Sequence, residues 1–306
     1  MRYIEKNGYK ISSLTLGTVQ FGLAYGINNS LGMPPFEVSA SILDTALKCG
    51  VTSFDTARSY GESELVLGRF FSERDEERTL ISKCLIRGVP RSEVKDRLFA
   101  SVHETLERLR IEKLPFLKMH SESMLLDYGD TVIAAMNDLK SEGLVSGIGV
   151  SFSDKSRLFE LCDGAGFDCI QLPANMFDNR VIVDGSLKKL EAQGAVTFVR
   201  SLYLQGLFFK DTETLPEKLK CAKEPLDRLH RLSRETGVGV AEMAFAFMKD
   251  GEGISSVVLG CDNKEQLLES VSLAERASIS DEIRKEIVKI SETVEPIVIR
   301  PWEWNK

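Results

Sequence analysis

Four polar residues lie at the ends of successive apolar segments, or in the turn that follows the first of them. Asp55 ends the first of these segments, Lys83 lies at the end of the second, and His120 ends the third. Tyr60 follows Asp55 in the same turn. In an α/β protein, polar groups just past the carboxyl ends of strands are where chemistry usually occurs. These four residues are therefore candidates for one catalytic centre.

The four residue types together could transfer a proton to an oxygen. A tyrosine, with an ordinary pKa of about 10, can donate a proton at neutral pH only if its phenolate is stabilised. The Lys83 ammonium would stabilise the phenolate and lower the pKa of Tyr60, and Asp55 would keep Lys83 charged in a partly dry pocket. The histidine could polarise or position a carbonyl oxygen. Such a set suits an oxygen that becomes negative when a hydride reaches its carbon.

Each residue also has a purely structural interpretation. Asp55 and Ser53 could cap the next helix, Lys83 could be a solvated strand end, and His120 could be a hydrogen-bonded core histidine. The combination of all four favours chemistry over these separate interpretations.

Other catalytic and nucleotide-binding motifs are missing from the sequence. No G-x-G-x-x-G follows a strand, because the G-I-G at 147–149 precedes Phe152 where a third glycine would be needed, and no G-x-x-x-x-G-K-[ST] occurs. The three histidines (103, 120 and 230) are far apart and show no metal-ligand spacing. We therefore expect no metal site and no Rossmann-type dinucleotide turn.

The composition limits the class of protein. The 306 residues are 43% hydrophobic and carry a net charge of −7 with a pI near 5.3. No Lys/Arg cluster offers a surface for phosphate backbones, so nucleic-acid binding is disfavoured. No apolar stretch approaches the roughly 20 residues that span a bilayer, so we expect a cytoplasmic protein without a membrane partner. The six cysteines are scattered without a C-x-x-C pair, and we interpret them as buried thiols.

The elements that must position the four residues alternate along the chain. After a hairpin around Asn7-Gly8, apolar segments predict strands at 14–18, 51–54, 79–84, 114–119, 145–150, 168–172, 195–199 and 256–259. Helical periodicity predicts helices at 38–49, 62–71, 92–110, 130–142, 154–163, 184–193 and 263–276. Eight strands alternating with helical segments predict an α/β fold, a (β/α)8 barrel of about 250 residues plus extra C-terminal helices. A doubly wound sheet is the alternative.

Without a linker-like stretch, residues 1–306 are predicted to form one domain. The segment between Ser201 and Gly253 is longer than the other connections and holds a polar loop at 210–223 and two helical patterns around 226–232 and 241–248. Long loops beside a barrel mouth are usually lids or binding loops, and this segment and the loop at 121–130 should set the substrate. The tail with Trp302 and Trp304 could stack on a ring such as a sugar, or dock onto the barrel.

The sequence resembles the aldo-keto reductase family. The family's second-strand motif, similar to G-x-x-x-F-D-T-A-x-x-Y-G-x-S-E-x-x-L-G, stands here at 50–68. Further similarity covers L-T-L-G-T-V-Q-F-G at 14–22, G-I-G-V-S at 147–151, Q-L-P-A-N at 171–175, L-Q-G at 204–206 and V-V-L-G at 257–260. The resemblance implies the barrel, a nicotinamide cofactor bound across its mouth, and a catalytic tetrad of Asp55, Tyr60, Lys83 and His120, with Tyr60 as general acid.

The resemblance also implies the residues that bind the cofactor. Those expected near the nicotinamide are Gly17, Thr18, Asp55, Ser151, Gln171 and Arg200. Those expected at the pyrophosphate are Ser201, Leu202, Gln205 and Gly206. Those expected around the adenosine are Gly260, Asp262, Gln266, Glu269 and Ser270.

The sequence departs from the family pattern at several of these positions. Arg200 stands where an aromatic residue often stacks on the nicotinamide, Phe152 where Asn is common, and Ser270 where Asn is common near the adenine. Asp262 would repel a 2′-phosphate unless it is turned away, although Lys264 could compensate. NADP(H) is favoured by the resemblance, and NAD(H) is the alternative favoured by local charge.

The expected function is an oxidoreductase that moves a hydride between a nicotinamide and a carbonyl or hydroxyl carbon of a small aldehyde, ketone or sugar. One alternative is a non-catalytic, nicotinamide-binding regulatory subunit of the same fold. The other is a barrel lyase or isomerase that uses Lys83 as a Schiff base, which a nearby Asp55 disfavours because it keeps the lysine charged. The sequence leaves the substrate and the oligomeric state open.

Overall fold

The chain opens with the predicted hairpin. In the computed structural model, which describes residues 1–24, 32–153, 155–162, 164–276 and 278–304, strands β1 (Tyr3–Lys6) and β2 (Tyr9–Ser12) pair antiparallel. Asn7 and Gly8 both have positive φ, 54° and 80°, as a two-residue hairpin turn requires. The Lys10 carbonyl in β2 accepts hydrogen bonds from the Thr52 and Thr79 hydroxyls at 2.9 and 2.7 Å. The hairpin therefore lies against the amino-terminal ends of the following strands.

The next eight strands of the described chain form a closed parallel barrel in which the last strand pairs with the first. They are β3 Leu14–Gly17, β4 Ser53–Asp55, β5 Thr79–Cys84, β6 Leu114–Met119, β7 Val145–Ser151, β8 Cys169–Pro173, β9 Val196–Arg200 and β10 Ser256–Gly260. This confirms the predicted barrel and excludes the doubly wound sheet.

An apolar layer fills the barrel interior beneath the carboxyl ends of the strands. It includes Ile81, Phe116, Cys169 and Phe198. Gly147 makes room for it, because a Cβ there would lie 2.6 Å from the Phe116 ring. Side chains alternate between the two faces of a strand, so residues two positions further along point into the barrel as well. Polar residues at those positions therefore lie directly above the apolar layer, at the carboxyl end of the barrel interior.

Helices surround the barrel. They are α1 Phe36–Lys48, α2 Ser63–Phe71, α3 Val94–Leu109, α4 Ser123–Tyr128, α5 Asp130–Ser141, α6 Leu158–Cys162, α7 Arg180–Val183, α8 Ser186–Ala192, α9 Lys223–Thr236, α10 Val240–Lys249, α11 Lys264–Glu275 and α12 Asp281–Ser291. The helix α3 shows why they form, since its residues at helical spacing are buried while its other face is polar. Searched over the described residues, no helix is long and apolar enough to cross a membrane.

The structure corrects several predicted boundaries. Strand 51–54 is observed at Ser53–Asp55, because the Val51 amide bonds back to the Ala46 carbonyl and the Thr52 amide to the Ser12 hydroxyl. Of the predicted helix at 154–163, residues 158–162 are helical, and its two end positions lie outside the described residues. The loop at 121–130 contains α4, and the polar loop at 210–223 contains 3₁₀ turns.

Candidate active site

The turn between β4 and α2 brings Tyr60 over the end of the barrel. Its backbone is fixed by hydrogen bonds from the Tyr60 amide to the Ala57 carbonyl and from the Ser63 amide to the Tyr60 carbonyl, both 3.0 Å. The turn packs so closely on the loop after β3 that a Cβ on Gly22 would lie 1.8 Å from the Tyr60 carbonyl oxygen. Only glycine fits at that contact, so Gly22 helps to determine where the Tyr60 ring lies.

Lys83 joins Asp55 to Tyr60. Its Nζ donates to Asp55 Oδ2 at 2.6 Å and to the Thr56 carbonyl at 2.7 Å, and it lies 3.4 Å from the Tyr60 hydroxyl. His120, directly after β6, packs edge-to-face against the Tyr60 ring with centroids 5.5 Å apart. The structure therefore brings the four predicted residues together at the ends of β4, β5 and β6.

A second lysine, Lys118, completes this cluster and was missed by the sequence reasoning. Its Nζ donates to Asp55 Oδ1 at 2.7 Å and lies 4.8 Å from the centroid of the Phe198 ring. Gln171 Nε2 also donates to Asp55 Oδ1, at 3.3 Å. The available signal was the position of Lys118 two residues before His120 in an otherwise apolar strand, which places both on the inner face.

Burial and opposing charges set the ionisation states in this cluster. Burial alone would raise the pKa of Asp55, but Lys118 and Lys83 outweigh it and lower that pKa to about 2. Burial lowers the pKa of each lysine, and the Asp55 carboxylate opposes this in both cases. Burial, helped by the Lys83 charge, also lowers the pKa of His120 to about 4. At neutral pH Asp55 is thus ionised and His120 is neutral.

The pKa of Tyr60 differs from the expectation. Burial raises it and the Asp55 carboxylate raises it further, whereas Arg200 and Lys118 lower it. The sequence predicted that Lys83 would lower the pKa of Tyr60. The pKa is instead raised, because burial is the largest effect. Tyr60 is therefore protonated at neutral pH, which is the state that a proton donor needs.

The tetrad lines a cavity of about 610 Å³ at the carboxyl end of the barrel. Pockets of this size suit small ligands. Most of the residues expected to bind the cofactor also line the cavity. They are Gly17, Thr18, Ser151, Gln171, Arg200, Ser201, Leu202, Gln205, Gly206 and Gly260.

Residues 13–292 match the model of the aldo/keto reductase family. The chain belongs to this family. Its members are oxidoreductases that use nicotinamide cofactors, and the oxidoreductase class therefore holds for this aldo/keto reductase.

Individual relatives of this aldo/keto reductase are distant. The uncharacterized oxidoreductase YqkF of Bacillus subtilis (strain 168) is 24% identical over 79% of this chain and 84% of its own length. The NADH-specific methylglyoxal reductase of Escherichia coli (strain K12) is 27% identical over 64% of this chain and 65% of its own length. The solved structure of an aldo-keto reductase from Bacillus halodurans, in its holo form, superposes with a TM-score of 0.77 at 20% identity, covering 96% of this chain and 97% of that one.

Gln171 gives a direct indication that a nicotinamide fits the cavity of this aldo/keto reductase. The side chain is fully buried, and its Oε1 has no hydrogen-bond partner in the described part of the chain. Ser151, only 3% exposed, lines the same cavity. A carboxamide NH₂ group would satisfy the buried Gln171 oxygen. The residues present therefore fit the nicotinamide carboxamide.

The loop after β9 adopts an unusual backbone. Ser201, Leu204, Gln205 and Gly206 have φ of 66°, 47°, 54° and 86°, which is the left-handed region. Non-glycine residues rarely adopt it, and such strain clusters at ligand clamps. This strained loop lines the cavity where the resemblance places the cofactor's pyrophosphate.

Of the five residues predicted around the adenosine, Gly260 lines the cavity and the other four do not. Asp262 precedes α11, and Gln266, Glu269 and Ser270 lie within it. Gln266 Oε1 accepts a 2.8 Å hydrogen bond from the Asp262 amide, and the Ser270 hydroxyl donates to the Gln266 carbonyl. Asp262 Oδ1 is buried without a hydrogen-bond partner among the described residues. Their role in binding a cofactor stays a prediction.

Arg200 brings a further positive charge to the cavity wall. Its Nη2 donates to the Phe152 carbonyl at 3.0 Å and its Nη1 to the Ser201 hydroxyl at 3.3 Å. Beside it the sequence reasoning missed a buried ion pair in which Lys155 Nζ lies 2.6 Å from Asp178 Oδ2. Arg200 is thus held against the backbone of the wall, with its charge acting on Tyr60.

The two tail tryptophans have different positions. Trp304 Nε1 donates to the Ile297 carbonyl at 2.9 Å, so this ring docks onto the protein. Trp302 is 46% exposed and lines the cavity together with Ile299 and Pro301. The predicted docking of the tail onto the barrel is therefore seen for Trp304. A stacking surface for a ring at Trp302 stays a prediction.

A buried carboxylate behind the tetrad supports the Tyr60 turn. Glu64 is fully buried and accepts hydrogen bonds from Ser82 at 2.7 Å, Thr105 at 3.0 Å and Arg108 Nε at 3.2 Å. Arg108 also donates to the carbonyl of Gly61, the residue after Tyr60. The Ser-Glu of the family motif therefore ties the turn to β5 and α3.

Metal-ligating groups do not converge in the described residues. No set of three or more His, Cys, Asp or Glu side chains there could hold an ion. The six cysteines are free thiols, and four of them are buried.

Proposed function

We propose that this chain is an NAD(P)H-dependent oxidoreductase that moves a hydride between a nicotinamide and a carbonyl or hydroxyl carbon of a small molecule. The observation that carries the proposal is the position of the Lys83 ammonium, 2.6 Å from Asp55 and 3.4 Å from the Tyr60 hydroxyl. Family membership supports the reaction class. Tyr60 is the proposed general acid.

The proposed residues divide the work as follows. A reduced nicotinamide, when bound, would supply the hydride, the hydrogen and electron pair of its C–H bond, for the carbonyl carbon. Tyr60 gives its hydroxyl proton to the carbonyl oxygen, so one C–H and one O–H bond form as the C=O double bond becomes single. The Lys83 ammonium stabilises the phenolate that remains. The His120 ring nitrogen that does not contact Ser59 would polarise the carbonyl oxygen.

The proposed cofactor is NADP(H), with NAD(H) as the alternative. The buried, unpartnered Asp262 Oδ1 follows β10 by two residues, and a carboxylate near a 2′-phosphate would favour NAD(H). An Escherichia coli relative is named as NADH-specific. Lys264, in the first turn of α11, could instead accept the phosphate charge.

The alternatives have less support. A pure binding subunit has no need of a buried Lys–Asp–Tyr arrangement. A Schiff-base enzyme needs an accessible neutral lysine, whereas Lys83 is 2% exposed and donates to both Asp55 and Thr56.

A fluorescence titration with NADPH and NADH, followed by a screen of aldehydes, ketones and aldoses, tests the proposal. We expect one reduced cofactor to bind and at least one carbonyl compound to be reduced. Failure to bind either cofactor at millimolar concentration would remove the oxidoreductase proposal. Binding without turnover across the screen would favour the regulatory subunit.

A further inference from the structure

The Asp55 carboxylate contacts two lysines, and the proposed proton transfer uses only one of them. Lys83 occupies Oδ2 at 2.6 Å and Lys118 occupies Oδ1 at 2.7 Å. The side chains of the two lysines are 2% and 0% exposed. Of these two lysines, Lys83 is the one that contacts the Tyr60 hydroxyl, at 3.4 Å. Lys118 is therefore a buried charge without a part in the proposed reaction.

Burying a lysine is costly, so its surroundings must compensate. For Lys118 these are the Asp55 carboxylate and the face of the Phe198 ring, whose centroid lies 4.8 Å from Nζ. Cation–π contacts of this kind are strongest where water is excluded. Gln171 adds a neutral donor to the same carboxylate oxygen. Burial lowers the pKa of Lys118, and the Asp55 carboxylate opposes this loss of charge.

The charges facing Lys118 do not cancel. Asp55 on β4 is the one carboxylate in contact with it in the described structure, and Lys83 on β5 is a second cation on that carboxylate. On β8, burial raises the pKa of the Cys169 thiol to about 12, so Cys169 is uncharged. Tyr60 is protonated, and His120 after β6 is neutral.

When both lysines donate to Asp55 as ammonium groups, the one carboxylate and two cations leave a net charge of +1. Arg200 at the end of β9 adds to this positive field, because its charge acts on Tyr60, Lys83 and His120. The oxidised nicotinamide ring is a cation, and the reduced ring is neutral. A net positive cluster at the barrel end would repel a bound oxidised ring and would not repel the neutral reduced ring.

We propose that Lys118 is a positioning residue that makes the buried Asp55 cluster net positive, so that the site binds the reduced nicotinamide in preference to the oxidised one. The inference rests on the proposed function, since it requires a nicotinamide at the cavity. It assigns the preference for the reduced form to a residue that does not line the cavity and touches neither substrate nor cofactor.

The test measures dissociation constants for the reduced and the oxidised form of whichever cofactor the wild-type chain binds. The variants are Lys118→Met, which removes the charge, and Lys118→Gln, which removes the charge but keeps a hydrogen-bond donor for Asp55. The matched control is Lys140→Met, because Lys140 Nζ also lies 2.7 Å from a carboxylate oxygen, that of Asp168. Circular dichroism checks that each variant is folded.

We expect the ratio of the oxidised-form to the reduced-form dissociation constant to fall about tenfold in both Lys118 variants, as loss of one nearby charge predicts. In Lys140→Met it should equal the wild-type ratio. If Lys118 only held the carboxylate in place, the Gln variant would keep the wild-type ratio. That outcome for the Gln variant would overturn the inference. So would an unchanged ratio in both Lys118 variants, or an equal change of the ratio in Lys140→Met.

The outcomes separate this inference from the proposed function. If the wild-type chain binds neither form of either cofactor, the proposed function fails. If the wild-type chain binds and reduces a carbonyl while the ratio is insensitive to Lys118, only the role of Lys118 fails. If the Met variant does not fold, the Gln variant, whose side chain retains polar contact with Asp55, carries the measurement.

Discussion

Asp55 and Asp168 both contact lysines, and they lie at opposite ends of the barrel. At the carboxyl end, Asp55 contacts Lys83 at 2.6 Å and Lys118 at 2.7 Å. At the amino end, Asp168 just before β8 contacts Lys140 at 2.7 Å. The residue types and the distances are alike, yet only the first cluster lies beside a tyrosine in a cavity.

Access to water distinguishes the two clusters. The Lys140 side chain is 34% exposed, whereas those of Lys83 and Lys118 are almost completely buried. Asp168 also accepts a 3.0 Å hydrogen bond from the Ile148 amide, so it does not depend on lysines alone. Charges interact several times more strongly in a dry interior than near the surface. An aspartate–lysine contact therefore stabilises the barrel at the amino end, whereas at the carboxyl end we propose that it also influences proton transfer.

Replacing one lysine at each end should give the largest contrast. Lys83→Met removes the cation proposed to stabilise the Tyr60 phenolate, so we expect turnover to fall by about two to four orders of magnitude. The apparent pKa of the acidic group in the pH–rate profile should also move upward. Lys140→Met should leave turnover within a few-fold of the wild-type value. Steady-state kinetics across pH checks both variants.

Comparable losses of turnover in Lys83→Met and Lys140→Met would contradict the proposed difference between the carboxyl and amino ends of the barrel. They would show that ion pairing in general, and not the buried position of Lys83, supports activity.

Replacing the carboxylates should separate the two ends in stability. Asp55→Asn leaves two buried ammonium groups without a counter-charge, and we expect the free energy of unfolding to fall by about 3–5 kcal/mol. Asp168→Asn leaves a partly exposed lysine that water can solvate, and the loss should be about 1 kcal/mol. Urea unfolding of both variants measures the difference. Equal losses would mean that water reaches the Asp55 cluster.

The smallest expected effect concerns the adenosine end. If Asp262 faces the 2′-phosphate, Asp262→Arg should raise the affinity for NADPH relative to NADH by about tenfold. Asp281→Arg, with the same change of charge in the first turn of α12, is the control and should leave the ratio unchanged. A ratio that stays constant in Asp262→Arg would show that this carboxylate points elsewhere.

The proximity of Asp55, Tyr60, Lys83 and His120 was predictable from local signals. Asp55, Lys83 and His120 each close an apolar segment, and in a parallel barrel those ends meet at one rim. The hairpin at Asn7-Gly8 was predictable for a similar reason, since two positive-φ residues between alternating segments leave few other structures.

Other features depended on contacts that spacing does not show. The spacing to His120 places Lys118 on the inner face, but its partner Asp55 lies 63 positions away in the chain, and no sequence pattern reports that contact. The helix α4 formed where a loop was predicted, because Met124 and Leu125 are buried in the core. The raised pKa of Tyr60 reflects burial, which no sequence motif reports.

The single-turnover rate of Tyr60→Phe with bound reduced cofactor tests whether Tyr60 is the proton donor. The substitution removes only the hydroxyl, so folding and cofactor affinity should match the wild-type protein. We predict a fall in the rate of about two to four orders of magnitude. If the ring serves only to pack against His120, phenylalanine would serve equally well. A Tyr60→Phe protein with a near wild-type rate would contradict the account and leave His120 as the acid to test.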